Sequence, residues 1–184
     1  MCLRKKMNKS NLIKIFVLTI FSSCVVYLFN FSGVFIFNET DSLPIGYYIV
    51  EEDTSTIELK DIIRICPKKE NKAIQLGIER GYLTLVNNDN CFIVSLLKIV
   101  YAKEGDYVEC KKNEVLINEK TYQVQHSDSQ NRVLPICNIK RTLAKDEYFV
   151  MTEKFNSFDS RYFGIVNKEE IMSKARPYFT WSNE

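Results

Sequence analysis

Apolar residues run from Leu12 to Phe37 with only Thr19, Ser22, Ser23, Asn30 and Ser32 scattered among the uncharged positions. A helix of ~20 residues is enough to cross a bilayer core. The pattern therefore predicts a basic segment over residues 1–11, a transmembrane anchor over residues 12–37 and a separate domain over residues 38–184. Asn30 and Gly33 are read as the points where the anchor loosens near the outer surface, because a polar amide is costly deep in hydrocarbon. Beyond residue 38 the pattern changes to short runs rich in Ile, Val, Tyr and Phe. Tyr47–Val50, Ile62–Cys66, Leu96–Tyr101, Tyr107–Cys110, Val115–Ile117, Tyr148–Met151 and Phe163–Val166 read as strands. Lys72–Arg80 and Asn167–Met172 have helix-like spacing. The exported domain is expected to be mainly β, with no repeat, low-complexity tract or Pro/Gly linker dividing it.

The length of 184 residues allows one domain plus an appendage. With 46% hydrophobic and 26% charged residues, neither a disordered tail nor a polytopic membrane protein fits. Of 25 Lys+Arg, five (Arg4, Lys5, Lys6, Lys9 and Lys14) precede the first acid, Glu39, which leaves 20 against 23 Asp+Glu in the rest. A mildly acidic body argues against nucleic acid as a partner, since phosphate contacts need a concentrated basic face. The basic end instead sets topology: positive residues stay on the cytoplasmic side, giving a single pass with the N-terminus inside. Two rival readings are a cleaved secretory signal, which wants small residues at an A-x-A-like site although no Ala precedes Ala73, and a lipoprotein signal at Phe21-Ser22-Ser23-Cys24. Phe at the usual Leu position and the apolar residues beyond Cys24 favour an uncleaved anchor.

Cys2 and Cys24 precede the exported portion, which holds Cys66, Cys91, Cys110 and Cys137. An even set outside the cytoplasm is compatible with two disulfides in any of three connectivities, and four reduced thiols are the alternative. No C-x-x-C occurs and the single histidine, His126, lies in a polar stretch, which argues against a zinc site.

A nucleophile relying on histidine would depend on His126 alone. Lysine can replace histidine if its ammonium is desolvated, and bringing its pKa from ~10.4 to near 7 costs roughly 4 to 5 kcal/mol, which burial in an apolar strand supplies. Lys98 interrupts the apolar run Val94-Ser95-Leu96-Leu97-Lys98-Ile99-Val100-Tyr101. That run by itself equally describes an amphipathic strand with its lysine in solvent. Ser42 lies in Thr40-Asp41-Ser42-Leu43-Pro44-Ile45-Gly46-Tyr47-Tyr48, where Pro44 fixes φ and Gly46 permits a bend. As a lone pattern this is a turn.

With a third segment the picture becomes specific. Asn38-x-Thr40-x-Ser42-Leu43-Pro44-x-Gly46-x-Tyr48, then Leu97-Lys98 followed by Gly105-Asp106-x-Val108, then Ser157-Phe158-Asp159-Ser160-Arg161-Tyr162-Phe163-Gly164, resemble the ordered boxes of the signal peptidase superfamily. The first and third are closest to the TraF-type conjugative-transfer signal peptidases. The resemblance implies a single transmembrane helix followed by a signal-peptidase-like β-rich catalytic domain, a serine peptidase at the periplasmic face of a bacterial inner membrane. It implies Ser42 as nucleophile and Lys98 as general base, with the Thr40 hydroxyl and Ser42 N–H receiving the oxyanion. Ser157 would orient the lysine, while Asp159 and Arg161 would brace the site, the Asp159 position being needed for activity in the conjugative branch. The resemblance also implies Cys66–Cys91 and Cys110–Cys137 pairing, no cofactor, and a membrane-bound pilin or preprotein substrate beside the lipid bilayer. Pilin maturation, with hydrolysis or cyclisation of the product, is the expected activity. A general type I leader peptidase and a catalytically silent scaffold of a transfer channel are the alternatives. The family's Gly-x-Cys-Arg-like tract appears as Ile136-Cys137-Asn138-Ile139-Lys140-Arg141, and Ile99 replaces the usual basic residue after the lysine.

Overall fold

A computed structural model describes residues 9–31, 34–88 and 90–181. Of the two loosening points read above, Asn30 is still helical and Gly33 lies outside the described residues, as do Arg4, Lys5 and Lys6 of the topology signal. Helix α1 (Lys9–Phe31) has 23 residues, which at ~1.5 Å per residue span roughly 34 Å, longer than a ~30 Å hydrocarbon core. Among the described residues it is the one helix long and apolar enough to cross a membrane, and its Lys9–Tyr27 window has a mean hydropathy of 1.7. Thr19 Oγ1 donates to the Ile15 carbonyl (2.7 Å), so its hydroxyl is satisfied within the helix.

The chain is already extended at β1 (Phe35–Asn38), and Phe35 to Phe37 therefore belong to the β domain rather than to the anchor expected over 12–37. Then follow β2 (Ile45–Glu51), β3 (Ile62–Ile65), α2 (Lys72–Glu79), β4 (Leu96–Ala102), β5 (Tyr107–Cys110), β6 (Glu114–Ile117), β7 (Lys120–Gln123), β8 (Lys140–Thr142), β9 (Glu147–Met151), α3 (Ser160–Phe163), β10 (Val166–Asn167) and β11 (Ile171–Trp181). The fold is mainly β. A seven-stranded sheet has the order β1-β2-β11-β3-β4-β9-β10 and a four-stranded sheet the order β7-β6-β5-β8.

Two expectations are corrected. Phe163–Val166 is not one strand: Asp159 caps a single helical turn by accepting from the Arg161 N–H, and Gly164, at φ 85°, ends it before β10. Asn167–Met172 is not a helix: a 3-10 turn at Lys168–Glu170 leads straight into β11, the longest strand. Its inward residues Ile171, Ser173 and Ala175 follow a period of two, and Pro177 is accommodated where the β2 register shifts between Pro177 and Phe179.

Burial follows from position in the sheet. Strand β4 lies between β3 and β9, so neither of its edges meets water. Its Val100 joins Ile63, Ile65, Ile74 and Val150 in a core beneath α2, while Leu97 joins Leu43, Tyr48 and Ala175 in a smaller cluster under the Thr40–Pro44 turn. The four-stranded sheet closes on a third cluster that includes Val108, Val115, Phe149 and Tyr162.

Candidate active site

Three segments distant in sequence converge: the turn between β1 and β2, the middle of β4, and the loop from β9 into α3. Each places its side chain for a local reason.

The turn carries Thr40 and Ser42. Its end is drawn tight at Gly46, which pairs with Asn38 across β1 and β2 and lies against β11. A Cβ at Gly46 would stand 2.3 Å from the Phe179 carbonyl oxygen and 2.7 Å from the Thr180 Cα, and φ there is +143°, so only glycine fits. Thr40 Oγ1 and Ser42 Oγ are 3.0 Å apart. Tyr48 OH donates to the Pro44 carbonyl at 2.7 Å.

Lys98 sits where an apolar residue would be expected on an interior strand, and only 4% of it is exposed. Its Nζ donates to Ser157 Oγ at 2.8 Å. Burial, the largest influence, lowers its pKa from an ordinary 10.5 to about 8, with the Arg161 charge adding to the fall and the carboxylates of Asp159 and Asp41 opposing it.

The loop that presents Ser157 is held from behind. Arg161 donates Nε to Asp159 Oδ1 (2.8 Å) and Nη2 to Asp159 Oδ2 (2.6 Å), a two-pronged pair with both side chains almost fully buried. The same guanidinium reaches the Lys154 carbonyl at 2.7 Å, which closes the loop around Ser157. Asp159 also accepts from the Thr152 N–H (3.3 Å). Across the mouth, Lys154 Nζ lies 3.6 Å from Asp41 Oδ2, an exposed pair worth little in stability that links the two loops.

Two clefts meet at Asp41 and Ser42. The larger, about 610 Å3, is walled by apolar residues that include Leu43, Ile45, Tyr48, Ile62 and Ile99. The smaller, about 360 Å3, has Thr40, Lys98 and Ser157 in its walls, with Tyr82, Gln125, Phe158 and Tyr162. The structure thus brings Ser42 beside Thr40, Lys98 beside Ser157 and Asp159 beside Arg161, and puts Ser42 and Lys98 in the wall of one cleft. A hydroxyl and a dry amine of lowered pKa in one cleft are the parts needed for proton abstraction and acyl transfer. Among the described residues, no group of three His, Cys, Asp or Glu side chains is placed to hold a metal ion.

Cys66 is bonded to Cys91 and Cys110 to Cys137. The second bond fastens the four-stranded sheet beside the box, where the Cys137 N–H donates to the Arg161 carbonyl (3.0 Å). Sequence reasoning assigned no role to Asn38 or Asp41, both of which reach the site. The available signal was an Asn followed four residues later by the turn serine, since Asn side chains commonly bond turn backbone.

The chain matches the family described as signal peptidase, peptidase S26, over residues 9–181. It is 30% identical over 158 residues to a plasmid transfer protein TraF of Escherichia coli, covering 78% of this chain and 82% of that protein. A second E. coli plasmid transfer protein TraF is 28% identical over 154 residues, with the same coverage of 78% and 82%. A conjugal transfer protein TraF of Agrobacterium tumefaciens (strain 15955) is 28% identical over 155 residues, covering 82% of this chain and 85% of that protein.

Proposed function

Because this chain belongs to the signal peptidase family, peptidase S26, we propose that it is a membrane-anchored serine endopeptidase in which Ser42 and Lys98 process a conjugative pilin precursor. The observation that carries the reading is the buried Lys98 amine, with its pKa lowered to about 8 and held by Ser157 in the cleft that Ser42 also lines. A surface lysine does not have this environment, and groups buried and shifted in this way cluster at functional sites.

In the proposed reaction the neutral Lys98 amine takes the Ser42 proton as Oγ attacks the scissile carbonyl. The Ser42 N–H and Thr40 hydroxyl receive the developing oxyanion. The carbon–nitrogen bond breaks, the leaving amine takes the proton from Lys98, and an acyl-enzyme remains on Ser42. Water then releases the acid, or a substrate amine attacks and closes a ring with net loss of one water from the linear product. The substrate lies as an extended strand past Ser42, its alternate side chains entering the two clefts.

The domain sits against the outer leaflet of the inner membrane, with α1 crossing it. Phe37, Tyr47, Tyr178, Phe179 and Trp181 are exposed, and ring contacts link Phe37 to Tyr47 and Trp181, and Phe179 to Trp181, across the neighbouring strands β1, β2 and β11. Aromatic belts of this kind favour the lipid headgroup layer. Anchoring holds enzyme and precursor in one plane and raises their effective concentration.

The test is cleavage of a conjugative pilin precursor by the full-length chain in detergent. Ser42→Ala and Lys98→Ala are expected to lose at least ~10³-fold in turnover. Equal cleavage by all three would end the Ser/Lys reading.

A further inference from the structure

Asn38 is the last residue of β1, only 8% exposed, and its side chain faces the nucleophile turn. Its Nδ2 shares its two hydrogens among three carbonyls of that turn: Thr40 (2.8 Å), Leu43 (3.0 Å) and Pro44 (3.2 Å). Its Oδ1 accepts from the Thr40 N–H (3.4 Å) and from the Thr40 hydroxyl (3.0 Å). The amide orientation is fixed by this set, because the flipped form would point a carbonyl oxygen at three others.

One consequence concerns a proton. A threonine hydroxyl has a single hydrogen, and Asn38 Oδ1 can only accept. With that hydrogen directed to Asn38, the 3.0 Å contact between Thr40 Oγ1 and Ser42 Oγ has Ser42 as donor.

We propose that Asn38 is the positioning residue of the nucleophile: its carboxamide shapes the Thr40–Pro44 turn and, through Thr40, sets the direction of the Ser42 hydroxyl in the resting enzyme. On substrate binding the Ser42 proton turns to Lys98 and the Thr40 hydroxyl turns from Asn38 to the oxyanion. Asn38 touches no reacting atom. This inference rests on the proposed role of Ser42 and assigns the part of the machinery that aims it.

The experiment uses the full-length chain in detergent with the pilin precursor, and compares wild type with Ser42→Ala, Asn38→Ala, Asn38→Asp, Thr40→Val and the Asn38→Ala/Thr40→Val double variant. Misaiming a nucleophile costs on the order of 10²-fold. Asn38→Ala is expected to lose about that factor in kcat with KM within about threefold, because Asn38 itself lines neither cleft and acts on the aim of a reacting group. Thr40→Val should fall by roughly 10² to 10³. The double variant should lie within about tenfold of the worse single variant, since both act through one hydroxyl. If Asn38→Ala does not fold, Asn38→Asp keeps volume and acceptor but lacks the donor to the three carbonyls, and it is expected to lose at least about tenfold in kcat.

Wild-type kcat in a folded Asn38→Asp or Asn38→Ala chain, a loss confined to KM, or a double variant equal to the product of the single losses would overturn the proposal. If those results appear while Ser42→Ala is inactive, the serine reading stands and only the role of Asn38 falls. If Ser42→Ala cleaves like wild type, or wild type does not cleave, both fall together.

Discussion

Replacing Lys98 by Met removes the amine and keeps an unbranched side chain in the same strand. In the wild type the amine sits in a dry site where its pKa is about 8 instead of 10.5. At ~1.4 kcal/mol per pH unit, that difference means the folded protein bears a cost of about 3 kcal/mol while the group is charged. The sign follows from proton counting. Between pH 8 and 10.5 the unfolded chain binds more protons at this residue than the folded chain, so wild-type stability rises with pH through that window. Below pH 8 the full cost is present, and above 10.5 it is gone.

Met carries no such cost but leaves the Ser157 hydroxyl without its partner, a loss of about 1 kcal/mol. Lys98→Met is therefore expected to be more stable than wild type by about 2 kcal/mol at pH 6, a rise in Tm of roughly 4 to 8 °C, and less stable by about 1 kcal/mol above pH 10.5. Thermal unfolding of the full-length chain in detergent across pH 6 to 11, wild type and variant side by side, reads the difference directly. A variant that is less stable at pH 6, or a difference that does not change with pH, would refute the claim that this amine is dry.

Turnover should rise with pH through about 8 and level off above it, because the proposed base is the neutral form of Lys98; a pH–kcat profile flat between 6 and 9 would contradict this. Arg161→Leu leaves the carboxylate of Asp159 buried and unpaired, and is expected to cost about 3 to 5 kcal/mol by chemical denaturation, whereas a loss under about 1 kcal/mol would mean that the pair does not hold the loop. Gly46→Ala drives a Cβ into the backbone of β11 at a positive φ, with an expected loss of roughly 1 to 3 kcal/mol; an unchanged melting temperature would show that the two strands are not held this closely.

Much of the candidate site was legible in the chain because its proposed chemistry is concentrated in three short boxes, yet what brings the boxes together is non-local. The run around Lys98 reads the same whether its lysine faces water or core. Only the placement of β4 between β3 and β9 decides the matter, and those pairings join residues far apart in sequence. Ser157 likewise gains meaning from a hydrogen bond spanning 59 positions. Strand β11 escaped notice because Ser173 and Ala175 make its inward row weakly apolar and Pro177 interrupts it, and β1 because Phe35–Phe37 extend the apolar run of the anchor without a clear turn. The polar strands β7 and β8 present little apolar pattern, since they form the edges of the smaller sheet. At Phe163, the first residue of the strand expected over Phe163–Val166, strand preference was overruled by a helical turn capped at Asp159 and stopped at Gly164.

The most direct measurement of the central claim is mass spectrometry of the enzyme quenched during turnover with the pilin precursor. The account predicts a covalent precursor fragment on the peptide containing Ser42 in the wild type, and its absence in Ser42→Ala and Lys98→Ala. Precursor processed without any adduct on that serine in the wild type, and processed equally by Ser42→Ala, would contradict it.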